Sequence, residues 1–83
     1  MANKNKLLAS TLEKMFEAVD SGKLDRVIKI SSELDRKAEI PGVKDIFGPY
    51  DDCRKYLLQA ANSTDKVARK SALKQARDAY SIL

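Results

Sequence analysis

The chain has 83 residues, a net charge of +4, no histidine and a single cysteine, which describes one small domain. That inventory excludes Ser-His-Asp and Cys-His catalysis, internal disulfides and a single-chain zinc knuckle, and no metal or cofactor is expected. Gly22, Gly42 and Gly48 make no phosphate-cradling loop, so any chemistry would run on carboxylates, hydroxyls, amides, lysines or the lone thiol.

The first helix is expected over about residues 6–20. Leu8, Leu12, Met15, Phe16 and Val19 follow the i, i+4, i+7, i+8, i+11 spacing of one buried stripe. Ser21-Gly22 stops it, with Gly22 suited to a left-handed cap. A second helix is expected over residues 24–39, with Leu24, Val27, Ile28, Ile30, Leu34 and Ala38 on its apolar face. Arg26, Lys29, Glu33, Arg36 and Lys37 point away from it. The short break between these helices makes them an antiparallel hairpin over residues 6–39.

Pro41-Gly42 ends the second helix. Residues 40–48 form a connector whose Val43, Ile46 and Phe47 are expected to fold back as a plug over the core. A third helix is expected over residues 49–61. Pro49 takes its first position, Asp51 and Asp52 face the positive end of its dipole, and Tyr50, Cys53, Tyr56, Leu57, Ala60 and Ala61 are buried. Ser63 or Thr64 is expected to cap a fourth helix over residues 64–82. Its apolar side is Ala68, Ala72, Ala76, Ala79 and Leu83, widened by Leu73 and Tyr80. The fold class is thus all-α, a small four-helix bundle of two αα-hairpins (6–39 and 49–82) in one domain.

Three groups of residues offer function. In KISSELDRK (Lys29–Lys37), Ser31 and Asp35 sit four residues apart on the apolar side of the second helix. The bland reading makes Ser31 a hydroxyl bonded to a carbonyl one turn back, and Asp35 a rim carboxylate paired with a Lys or Arg. The other reading is a polar pair at a partner's contact edge, with Ser32 beside it. Ser31-Ser32-Glu33-Leu34-Asp35, preceded by EAVDSGKLDRVIKI, resembles the signature of the small sporulation aspartyl-phosphate phosphatases of Bacillus-like bacteria. The resemblance covers roughly residues 8–39. It implies dephosphorylation of a phospho-aspartate on a sporulation response regulator, with Asp35 as the catalytic carboxylate beside the phosphate. The family's glutamine is Ser32 here, and Arg36-Lys37-Ala38 follows where the family continues with apolar residues.

The second group is a stripe of Lys66, Lys70, Lys74 and Arg77 on the fourth helix. It suits a nucleic-acid backbone or an acidic protein surface. The third is PYDDCRKY (Pro49–Tyr56). Its aspartates read as helix-start electrostatics and Cys53 as a small hydrophobe, reactive only if Arg54 and Lys55 activate it. Leu58 and Ile82 fall outside the main stripes and are expected to be exposed contact residues.

The favoured function is a small regulatory adaptor or inhibitor, of bacterial or phage type, that binds a protein partner. A homodimer would cover the same surface. The single cysteine suits a reducing compartment. MANKNKLLAS has too short an apolar run for a secretion signal, so a cytoplasmic location is expected. No apolar run reaches bilayer length, so no membrane partner is expected.

Overall fold

A computed structural model describes residues 5–83. Four helices appear: α1 (Lys6–Asp20), α2 (Leu24–Ala38), α3 (Phe47–Asn62) and α4 (Lys66–Ser81). A 3₁₀ turn, Lys44–Ile46, leads into α3, and no strand occurs among the described residues. The chain is a small all-α four-helix bundle, with α1 packed on α2 and α3 on α4.

Asn5 caps α1, its side-chain oxygen accepting from the Leu8 N–H at 3.1 Å. The other end closes as a Schellman motif. Gly22 donates to the Val19 carbonyl at 3.1 Å and Lys23 to the Ala18 carbonyl at 3.0 Å. That geometry requires Gly22 at φ +68°, and it turns the chain directly into α2. Lys23, the N-cap of α2, makes no side-chain capping bond.

The core is one continuous cluster. Leu8, Leu12, Met15 and Val19 of α1 meet Val27, Ile30 and Leu34 of α2, and Tyr50, Cys53, Leu57 and Ala60 of α3. From α4 only Ala72 and Ala76 are buried, joined by Leu83 beyond its end. α3 is the central helix, packing on α1, α2 and α4. Small side chains on α4 let it lie close along α3. Phe16 and Tyr80 connect α1 to α4 edge to face, with ring centroids 5.7 Å apart. No packed interface joins α4 to α2.

Several details differ from the sequence expectations, each for a local reason. α3 starts at Phe47, so Pro49 is its third residue. Proline is tolerated there because the first N–H groups of a helix have no intrahelical acceptor. Asp51 and Asp52 consequently fall beyond the first turn. Asp65, and neither Ser63 nor Thr64, caps α4, its carboxylate accepting from the Val67 N–H at 3.3 Å. The Ser63 hydroxyl instead donates back to the Gln59 carbonyl at 2.8 Å. Residues 66–71 are all exposed, so α4 buries its apolar side only from Ala72 onward and leaves Ala68 in solvent.

Of the connector's three apolar residues, Val43 is buried and Phe47 packs partly against the core, while Ile46 is exposed. Leu24 and Ile28 are exposed as well, because α4 does not extend over this edge of α2. Lys37 is half-buried, its ammonium donating to the Thr11 hydroxyl. Thr11 is itself buried and donates to the Leu7 carbonyl at 2.9 Å.

Candidate functional site

The residues singled out in KISSELDRK lie where α2 packs on α3. Their environment is organised by Arg54 of α3, whose side chain is only 14% exposed. One arm of its guanidinium bonds the Asp35 carboxylate and reaches the Ser31 carbonyl oxygen at 3.3 Å. The other arm bonds Asp51, one turn back on α3. Phe47 lies beneath, with the guanidinium carbon 5.5 Å from its ring centroid. Lys55 approaches the other oxygen of Asp51 at 3.6 Å.

The Arg54 Nε is buried without a hydrogen-bond partner among the described residues. Burial alone would lower the pKa of this guanidinium. Its bonds to Asp35 and Asp51 and their charges outweigh burial and raise it, so Arg54 is a permanent cation.

Asp35 is thus a rim carboxylate holding an arginine. It remains 65% exposed, so solvent screens the pair and its share of stability is about 0–1 kcal/mol. The serines divide their expected roles. The Ser32 hydroxyl makes the bond one turn back, to the Ile28 carbonyl at 3.2 Å. Ser31 is half-buried and contributes its backbone carbonyl to Arg54. Within Ser31-Ser32-Glu33-Leu34-Asp35, the Ser32 and Asp35 side chains are therefore engaged within the protein.

Leu58 and Ile82 separate. Ile82 is 79% exposed just beyond α4. Leu58 is half-buried against the core, because α3 is flanked by three helices and its buried stripe is correspondingly wide. The basic residues Lys66, Lys70, Lys74 and Arg77 are all exposed. Arg77 reaches Asp20 of α1 at 4.0 Å, and the three lysines make no ion pair among the described residues.

Cys53 faces the interior, fully buried, its thiol donating to the Ala76 carbonyl at 3.3 Å. Burial pushes the thiol up to about 11, so Arg54 and Lys55 do not activate it. Tyr80 is pushed up to about 12, first by burial and then by its hydrogen bond to Glu13 at 3.0 Å. Both groups keep their protons in the folded chain after the unfolded chain has begun to lose them. Stability from this source is complete below pH 9 and falls between about pH 9 and 12. Urea midpoints measured from pH 8 to 12 should show that decline. Cys53→Ala should remove its early part, about 2 kcal/mol between pH 9 and 11. Wild-type and variant midpoints that fall in parallel would contradict this assignment.

Sequence reasoning missed Arg54 as the centre of the site. Its only linear signal was an Arg three residues after Asp51 on one helix face. Comparison of the chain with protein-family models, with curated proteins and with solved structures gives no match.

Proposed function

We propose that this chain is a small regulatory adaptor or inhibitor that acts by binding a protein partner along α2. The observation that carries this reading is the uncovered edge of the helix. Leu24 and Ile28, one turn apart, are 41% and 51% exposed. At 100° per residue they line up with Asp35, and Ser31 and Ser32 flank that line. An apolar pair followed by polar groups on one helical line is the pattern by which a helix seats in a partner's groove. The two flanking helices hold α2 rigid, so little ordering is needed on binding.

The phosphatase reading receives less support, because Asp35 is tied to Arg54 and Ser32 to the backbone. Binding of nucleic acid through α4 has the exposed lysines in its favour. Asp65 and Asp78 interrupt that surface, and no Arg/Asn/Gln set for base reading accompanies it.

Affinity capture from the native host should retain a stoichiometric protein on the wild-type chain. Ile28→Glu should reduce that capture at least tenfold while leaving the far-UV spectrum and melting temperature unchanged. Equal capture by both chains would remove α2 from the interface, and the absence of a partner would remove the reading itself. Sedimentation of the isolated chain separates self-association from binding to another protein.

A further inference from the structure

The opposite flank of α2 carries a second feature. A groove of about 790 Å³ lies between α1 and α2. Lys14 of α1 and Lys23, Arg26 and Lys29 of the α2 side line it, with Asp25 and Glu33 between them. Four cations against two carboxylates leave two positive charges in excess. None of the four cations forms an ion pair among the described residues, whereas Arg54, Lys55 and Arg77 each do.

Two of these cations sit where the helix itself disfavours them. Lys23 is the N-cap of α2 and Arg26 lies in its first turn, beside the positive end of the dipole. Neutralising them from outside would relieve that repulsion. Leu24, 41% exposed, adds apolar surface at one end of the lining. From Gly22 to Glu33 the groove follows α2 for about 16 Å, the length of three helical turns.

We propose that this groove docks an acidic segment of the protein partner, with its carboxylates against the four cations and an apolar side chain over Leu24. The proposal rests on the protein-binding reading above and assigns the chemistry of the partner. Charge complementarity selects the occupant. Nucleic acid fits this groove less well. Asp25 and Glu33 break the positive track that a continuous phosphate backbone needs, and no aromatic ring lines the groove for base stacking.

The test is a titration of the ¹⁵N-labelled chain, followed by amide shifts. The probes are a synthetic amphipathic peptide with Glu and Leu at helical spacing, the same peptide with Gln for Glu, and a short single-stranded DNA. The acidic peptide should give saturable shifts at Lys14 and from Gly22 to Glu33. Binding should weaken at least tenfold in Lys23→Glu/Lys29→Glu. The variant should keep its fold, because an acidic residue at the N-cap suits the helix dipole and Lys29 is exposed, and an unchanged far-UV spectrum checks this. Equal binding of the Gln peptide, shifts centred on Lys66–Arg77, tighter binding of DNA in the groove, or no shifts would each overturn the proposal. Capture of the native partner separates the two claims. If the charge-reversed chain captures it like wild type while Ile28→Glu does not, the groove assignment fails and the protein-binding reading stands.

Discussion

Leu57→Ala is expected to be the most damaging single truncation in the chain, lowering stability by about 3–5 kcal/mol. Leu57 is fully buried on α3, the helix that packs on all three others. Its loss removes apolar contact and leaves a cavity that a small, closely packed core can only partly close. A domain of this size holds about 4–12 kcal/mol in total, so the loss takes a large share of its stability. Urea denaturation followed by circular dichroism measures this directly. Ile82→Ala is the matched control: its side chain is mostly in solvent, and its effect should stay within about 0.5 kcal/mol. A Leu57→Ala loss under about 1 kcal/mol would contradict the packing of α3 described above.

The second large effect is expected at Arg54. Arg54→Ala should cost about 1–3 kcal/mol, because it leaves Asp35 and Asp51 on neighbouring helices without the cation that joins them. Arg54→Lys should recover only part of that loss. A single ammonium cannot present two forked arms to two carboxylates and also bond the Ser31 carbonyl. Asp35→Asn should cost less than about 1 kcal/mol, since Asp35 is largely exposed. If Asp35→Asn proves as damaging as Arg54→Ala, the pair is desolvated and the rim assignment is wrong. This contrast also serves the functional question. A substitution at Asp35 that spares stability but weakens partner capture reports on the surface and not on the fold.

Helix positions were legible because periodic apolar residues and a few punctuating ones decide them. Gly22 fixed the first turn through its positive φ, and the 8-12-15-19 spacing fixed the buried face of α1. Boundaries that rest on weak local preferences moved. Pro49 sits as comfortably third in a helix as first, and Asp65 competes successfully with Ser63 and Thr64 for the cap. The exposure of Leu24 and Ile28 was not legible, since it depends on which helix α4 packs against, a long-range choice that no local pattern encodes. Asp35 was readable as a rim carboxylate in need of a cation. Its partner lies 19 residues away on another helix and was not readable. Lys37 illustrates the same limit: its position on α2 looks solvent-facing, yet its ammonium reaches Thr11 across the hairpin.

We propose α2 as the helix that a protein partner touches. Amide hydrogen exchange of the chain, alone and with the captured partner, tests it most directly. Added protection should concentrate between Leu24 and Asp35 and leave the exposed face of α4 from Lys66 to Arg77 unchanged. Protection centred on α4, with α2 exchanging as in the free chain, would contradict binding along α2.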